Sequence, residues 1–417
     1  MFDNLEIKQE IIDLAGQAEE DLKSIYKKYE NNTMINSIKV FKAFQNAGVS
    51  TSDFNEVTGY GYSDIGRDKL EKIYAEVFKA EDAIVRPQIM CGTHALSVTL
   101  FGLLKYGDTL LSISGDPYDT LKSVIGTVGD SKNSLIAHGV KYEQIELIDS
   151  HFDIPKIVER VSKQDVRLVE IQRSRGYSER LSLSIDKIEK AINEIKRVAP
   201  NTIVLVDNCY GEFVETREPI EVGADVIISS LMKNLGAGIA TSGGYIVGKK
   251  DLIWQIAETL NCPVVGKEMG ANFNQLLSYY KGLFMAPKVV ESALKTMTFA
   301  SYMLQKLGFD VSPKYDEERT DIIQTIKLNT KENLIGFCEG IQSASPVESY
   351  VTPVPEQTPG YPHEEIMAGG SFTPGSTIEL SADGPLVEPY TAYMQGGLTY
   401  EYGKLGIMTA LSRINKN

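Results

Sequence analysis

The sequence holds no apolar run near the roughly 18 residues that a membrane-spanning helix needs, so no membrane partner is expected. Basic charge is also scarce. Lys and Arg number 42 against 56 Asp and Glu, for a formal charge of −14, which leaves no basic face for a nucleic acid backbone. Cysteine and histidine number four each, far apart and without C-x-x-C or H-x-x-x-H spacing, which argues against a zinc site or a disulfide framework; no metal is expected. The first residues, "MFDNLEIKQE", show neither a basic nor an apolar leader region, so a cytoplasmic location is expected.

What is present describes an ordinary globular chain of 417 residues with 42% hydrophobic content, enough for two or three domains. Residues 1–55 read as a helical arm. Ile7, Ile11, Leu14, Ala18, Leu22, Ile25 and Tyr29 recur at helical steps, and a second helix is expected after Asn32, with Thr33 as its N-cap and Ile35, Ile38, Phe41 and Phe44 on one face. Residues 56–286 alternate strands with helices: "DAIVRPQIM", "DTLLSIS", "VRLVEIQ", "TIVLVD" and "ADVIISS" read as strands, "THALSVTLFGLL" and "SIDKIEKAINEIKRVA" as helices. Continuously apolar strands separated by helices predict an α/β domain with a mainly parallel sheet and ligands at the carboxyl ends of its strands. Residues 287–417 open with a long helix and read as a smaller α+β domain.

The polar residues after these strands converge on one chemistry. Asp207 ends "TIVLVD", where an unpaired carboxylate is costly and a protonated pyridine nitrogen would relieve it. Lys233 comes after the next strand, among Ser229, Ser230, Gly236 and Gly238 in "SSLMKNLGAGIATSGGYIVG". A lysine partly withdrawn from water there has a lowered pKa and can form a Schiff base with an aldehyde. Gly92 and Thr93 in "CGTHALSVTLFGLL" open a helix whose free N–H groups suit a phosphate, and Ser230 could add a hydroxyl. Tyr118 in "SGDPYDT" could stack on a pyridine ring, and Tyr210 could hydrogen-bond its phenolic oxygen. The combination points to pyridoxal 5′-phosphate on Lys233. Taken singly, each has a bland alternative: a surface lysine, a capping aspartate, a packed tyrosine. The nucleotide-binding motifs are poor matches, since "GAGIAT" lacks its third glycine and "GGYIVGKK" lacks the Ser or Thr of a P-loop.

The segments "GYGYSDIGRDKLE", "CGTHAL", "GDPYDT", "EIQRSRGYS", "VDNCYGEFVE", "SLMKNLGAGIATSGGYIVG" and "IELSADGPLVEPYTAYMQGGLTYE" resemble the methionine gamma-lyase family, also called aluminium resistance or cystathionine beta-lyase family proteins. The resemblance covers nearly everything from about residue 55. It implies a fold-type-I pyridoxal-phosphate enzyme in which Lys233 holds the cofactor aldehyde, Asp207 pairs with the ring nitrogen, Gly92 and Thr93 take the phosphate and Tyr118 stacks. It implies a carbon–sulfur lyase that eliminates a thiol from the β or γ carbon of cystathionine, methionine or cysteine, leaving a 2-oxo acid and ammonia. It also implies a homo-oligomer, dimer or tetramer, in which Tyr62, or alternatively Tyr60, and Arg67 reach the neighbouring subunit's phosphate; an intrahelical pair of Arg67 with Glu71 is the simpler alternative.

The chain departs from that family twice: "KNLGAG" stands where "KNPGGG" is usual, and Val387 stands where an arginine is common. An arginine suits a substrate carboxylate, so Arg173 and Arg175 become the candidate anchors. With Thr241 where an aminotransferase often has an arginine, that class is disfavoured. A cofactor-binding protein with little turnover, in a regulatory or buffering role, is the alternative from another class, with a nicotinamide-dependent reductase third.

Overall fold

A computed structural model describes residues 6–60, 64–357 and 363–415. The arm forms helices α1 (Gln9–Asp21) and α2 (Lys23–Ala47). In α1 the expected stripe is buried at Ile11, Ala18 and Leu22. The second helix does not begin at Thr33: α2 runs on from Lys23, the chain bends only at Leu22, and Thr33 donates to the carbonyl of Pro287 instead of capping. The docking face differs too. Asn36 donates its amide to the carbonyls of Phe213 and Glu215, which buries Asn36, Val40 and Ala43 and leaves Ile35, Ile38 and Phe41 exposed. Helix α3 (Ile65–Phe78) comes next, N-capped by Asp64.

The large sheet has seven strands: β1 (Asp82–Arg86), β2 (Thr109–Ser112), β3 (Lys141–Gln144), β4 (Val166–Gln172), β5 (Ile203–Asp207), β6 (Val226–Ser230) and β7 (Gly244–Gly248). Their order is β1-β7-β6-β5-β4-β2-β3, with β7 antiparallel to both neighbours and every other pairing parallel. All five strands read from the sequence form, while β3 and β7 went unread. Helices α4 (Gly92–Leu103), α5 (Asp119–Ile125), α6 (Ile154–Val161), α7 (Ile185–Val198) and α8 (Lys250–Leu260) accompany them. Because side chains alternate along a strand, Leu111, Val204, Val206 and Ile227 join one apolar core while Leu110, Leu205 and Ile228 join another. These strands are apolar throughout for that reason.

Helix α9 (Leu276–Lys306) is 31 residues long with Pro287 inside it, so the boundary expected between residues 286 and 287 falls within one helix. Beyond it a second sheet comprises β8 (Asp310–Ser312), β9 (Ile323–Lys327), β10 (Glu356–Gln357), β11 (Glu364–Ala368), β12 (Ser381–Pro385) and β13 (Thr391–Gln395), in the order β10-β11-β12-β13-β9-β8 and antiparallel throughout. Helices α10 (Lys331–Ser343) and α11 (Tyr400–Arg413) cover one of its faces, where Ile326, Ile366, Ala392 and Met394 share a core with Phe337 and Ile407. The architecture is the α/β large sheet plus α+β unit that the sequence predicts. No helix among the described residues is long and apolar enough to cross a membrane.

Candidate active site

Strands β5 and β6 are parallel neighbours, so the loops leaving their carboxyl ends emerge at one edge of the sheet. Asp207 is buried there, its Oδ1 accepting from the backbone N–H of Cys209 at 3.0 Å. The chain then turns sharply, with Tyr210 in the left-handed region at φ 67°, a conformation that costs free energy and is held by its surroundings. After β6, Ser230 accepts from Met232 N–H, and Lys233 enters a tight turn over Asn234–Gly236. That turn is pinned by Asn234, which donates to the carbonyl of Glu212. It also requires glycine at 236, where a Cβ would lie 1.6 Å from the carbonyl oxygen of Leu231.

Lys233 Nζ lies 4.4 Å from the centre of the Tyr210 ring. Its pKa is not lowered as the sequence suggested. Withdrawal from water does push it down, but Cys209, Tyr210 and Asp207 outweigh that and raise it well above the ordinary lysine value. Desolvation alone was the wrong argument for a lysine among acidic neighbours. Burial, reinforced by Asp207, pushes the Cys209 thiol up to about 12.

The glycine that opens α4 faces this lysine. A Cβ on Gly92 would lie 3.4 Å from Cys209 Sγ and 3.7 Å from Lys233 Nζ, so the bare helix start borders the same space. The next residue, Thr93, shares its hydroxyl with Tyr118 Oη at 3.1 Å and Thr120 Oγ1 at 2.8 Å. Tyr118 is fixed by its backbone N–H, which donates to Gln172 Oε1. Beneath, on β4, Glu170 accepts from Ser112 Oγ while its other oxygen has no partner. Burial, with Asp207 adding repulsion, pushes its carboxyl up to about 8.

A cavity of about 450 Å³ is lined by Tyr118, Gln172, Arg175, Asp207, Cys209, Tyr210 and Lys233, with Gly92, Thr93 and Ser230 outside its lining. Its other wall comes from the second sheet, through Asp383, Tyr393 and Gln395, with Tyr177 alongside. Tyr177 packs edge-on against Tyr393 and donates its hydroxyl to Asp383. The sequence singled out none of these wall residues. Their segments, "QRSRGYS" and "ADGPLVEPYTAYMQ", carried the family resemblance, but only the alternation of β12 and β13 shows which side chains face inward.

The two candidate anchors separate. Arg173 does not line the cavity: its N–H bonds to the carbonyl of Asp207, and its guanidinium turns to Asn208 Oδ1 (2.7 Å), the carbonyl of Gly211 and Glu215 (2.7 Å), with Glu218 at 3.6 Å. It is the fully buried member of a structural ion pair whose carboxylate partner, Glu215, is partly exposed. Arg175 does line the cavity. It is held from behind by the carbonyls of Ser312 and Glu179 and by Ser312 Oγ, it is 1% exposed, and its Nε has no partner.

Of the residues expected to act on a neighbouring subunit, Tyr62 lies outside the described residues, and Tyr60 is 85% exposed. Arg67 is buried at the start of α3. It bonds Asp68 and the carbonyl of Glu268, leaving Nη1 unpartnered. The alternative pair with Glu71 does not form, because Glu71 is held by Arg86 at 2.6 Å and Lys267 at 3.2 Å. Val387, on the turn after β12, is 39% exposed.

Known proteins resemble this chain in sequence and fold. The sequence profile described as methionine gamma-lyase matches residues 11–415. The uncharacterised protein YnbB of Bacillus subtilis (strain 168) is 44% identical over 416 residues, 99% of each chain. A solved structure of a carbon–sulfur lyase involved in aluminium resistance from Clostridium novyi NT is 44% identical, covers 99% of this chain and 97% of that one, and superposes with a TM-score of 0.95. The pyridoxal-5′-phosphate-dependent protein YhfS of Escherichia coli, at 17% identity, covers 91% of this chain and 95% of its own with a TM-score of 0.61, a likeness of fold.

Proposed function

The chain belongs to the methionine gamma-lyase family, and on that premise we propose that it is a pyridoxal 5′-phosphate-dependent carbon–sulfur lyase acting on sulfur-containing amino acids of the cystathionine, methionine or cysteine kind. The observation that carries this is Lys233 Nζ facing Tyr210 and Asp207 in one cavity, beside the bare Gly92 start of α4. The cofactor fits these residues. Gly92 leaves open a space that any side chain would enter, and the donors around it are of the kind a phosphate needs.

When bound, the cofactor supplies an electron sink for the pair left at the substrate's Cα. The chain supplies the rest. The N–H groups of Gly92 and Thr93, with the Ser230 hydroxyl, take the phosphate. Tyr118 would stack on the ring, Tyr210 would hydrogen-bond its phenolic oxygen, and Asp207 would hold a proton on the ring nitrogen. Lys233 would hold the aldehyde carbon and would serve as the general base for the Cα proton. Arg175 directs its free Nε–H to the substrate carboxylate, anchored from behind so that little side-chain freedom is lost on binding. Products are a 2-oxo acid, ammonia and a thiol.

The site is shared between copies in a homo-oligomer, with Arg67 and Tyr62 serving a neighbouring subunit's phosphate. One feature supports this: the exposed Met34, Ile35, Ile38 and Phe41 on α2, an apolar row of the kind subunit contacts cover. We place the protein in the cytoplasm, with neither nucleic acid nor membrane as partner.

The test is the visible spectrum of the purified protein, then borohydride reduction and peptide mapping. A yellow protein whose reduced pyridoxyl group maps to Lys233, and which releases 2-oxo acid from a sulfur amino acid only when Lys233 is intact, is expected. A protein that stays colourless with added cofactor overturns the reading. Full cofactor occupancy, with no sulfur amino acid perturbing the spectrum, favours a binding protein instead.

A further inference from the structure

The Lys233 turn is also touched from beyond the large sheet. Thr377 stands on the segment that leads into β12, and its backbone N–H donates at 3.1 Å to the carbonyl of Met232, the residue before Lys233. That segment is shaped for the contact. Glu379 folds it back by accepting from the N–H groups of Phe372 and Thr373, and Ser376 N–H closes a turn on the carbonyl of Thr373. Gly375 then lies against Met232, whose Cε would be 3.1 Å from a Cβ at that position. Thr377 thereby lines the same cavity as Tyr210 and Lys233.

The backbone of Thr377 is spent on the turn, but its hydroxyl is not. Thr377 Oγ1 is buried and completes no hydrogen bond, and a buried hydroxyl left in that condition is costly. Its neighbour is the hydroxyl of Tyr210. Burial pushes the Tyr210 hydroxyl up in pKa, while the Lys233 ammonium and the Thr377 hydroxyl draw it back, so the two hydroxyls interact without full alignment. Tyr210 is constrained from its other side, with its backbone in the left-handed region and its ring 4.4 Å from Lys233 Nζ. A phenol that accepts a hydrogen bond donates its own more strongly, because linked hydrogen bonds polarise one another.

We infer that Thr377 is a positioning residue for the cofactor, donating to Tyr210 Oη and so orienting and strengthening the hydrogen bond that Tyr210 gives to the cofactor's phenolic oxygen. The inference rests on the cofactor reading above and deepens it, since it adds a residue from outside the large sheet. A threonine that serves only to dock its segment on the Lys233 turn would need its backbone N–H and not its hydroxyl.

3-Deoxypyridoxal 5′-phosphate lacks the phenolic oxygen but keeps the aldehyde, the ring nitrogen and the phosphate. Fluorescence titration of the full-length apoprotein with this compound and with pyridoxal 5′-phosphate reads the worth of that oxygen without turnover. Thr377→Val is expected to weaken pyridoxal phosphate about threefold to tenfold, within the range of one hydrogen bond, and to leave the deoxy compound unaffected. Thr377→Ser keeps the hydroxyl and should bind both as the parent does. In a Tyr210→Phe background, Thr377→Val should cost nothing further, because the group it acts through has gone. Equal weakening of both compounds by Thr377→Val, or of neither, overturns the inference and leaves the cofactor reading standing. Binding of neither compound by the parent overturns both. If the parent takes only pyridoxal phosphate, the Tyr210→Phe background decides, and if the valine variant fails to fold, Thr377→Ala, which also lacks the hydroxyl, takes its place.

Discussion

Replacing Arg173 by methionine separates a structural arginine from a substrate-binding one. The guanidinium is fully buried and bonds Asn208, Gly211 and Glu215, with Glu218 at 3.6 Å. Both glutamates are already raised by burial and pulled back by Arg173. Methionine fills most of the volume but strands the two carboxyls, and breaking a buried pair from one side costs about 3–5 kcal/mol. With an unfolding entropy near 2.1 cal/mol/K per residue, 417 residues give about 0.9 kcal/mol/K, so the thermal midpoint falls by roughly 3–6 °C. The stranded carboxyls escape part of the cost by taking up protons. Their folded pKa rises above the unfolded value, so the stability they contribute is present at acid pH and lost as pH climbs. The deficit in Arg173→Met is therefore smaller at pH 5.5 than at pH 8. Scanning calorimetry at both pH values, with amino-acid titration of the holoenzyme, is the assay. A variant that melts with the parent yet has lost affinity for the substrate carboxylate would refute the assignment and return Arg173 to the pocket.

The opposite pattern is expected of Arg175→Met: a KM raised about tenfold or more for loss of a charged anchor, seen in steady-state 2-oxo acid release, with a smaller change in kcat; an unchanged KM removes Arg175 from substrate binding. Gly236→Ala drives a methyl group into the Leu231 carbonyl and should cost roughly 3 kcal/mol, the upper end for overpacking, together with cofactor retention on gel filtration; an intact melting point would mean that the Lys233 turn is looser than described. Glu170 titrates near 8 folded against 4.5 for the free side chain, so the stability it contributes is full below 4.5 and lost as pH rises through 8. Glu170→Gln should then gain about 1 kcal/mol or more over the parent at pH 9 relative to pH 6 in urea unfolding, and parallel curves for the two proteins would contradict this.

The large sheet was readable because its strands are apolar on both faces and separated by helices of another period. The strand β7 was missed because its glycines, in "SGGYIVG", drew attention as a possible phosphate loop rather than as a place where backbones approach. Lys233, Asp207, Gly92 and Tyr118 were legible through their positions after strands, since strand ends in such a sheet converge whatever the loops do. Asp383 and Tyr393 were not, because they lie more than 100 residues away on strands whose facing depends on antiparallel register. The arm's second helix was misplaced for a related reason. Ile35, Ile38 and Phe41 form a plausible apolar face, but Asn36 docks the helix through the other side, and a polar anchor of that kind leaves no mark in a hydrophobicity pattern.

The division of the pocket between two sheets has a temporal side. Gly92, Thr93, Tyr118, Asp207, Ser230 and Lys233 all precede residue 249, where the last strand of the large sheet has ended, whereas the second sheet begins only at Asp310. Chains fold as they are made, from the amino end, at about 5–20 residues per second. The residues that would hold the cofactor are thus synthesised some seconds before the second sheet that walls the other side of the cavity, while the long helix α9, made between them, packs into the core of the large sheet.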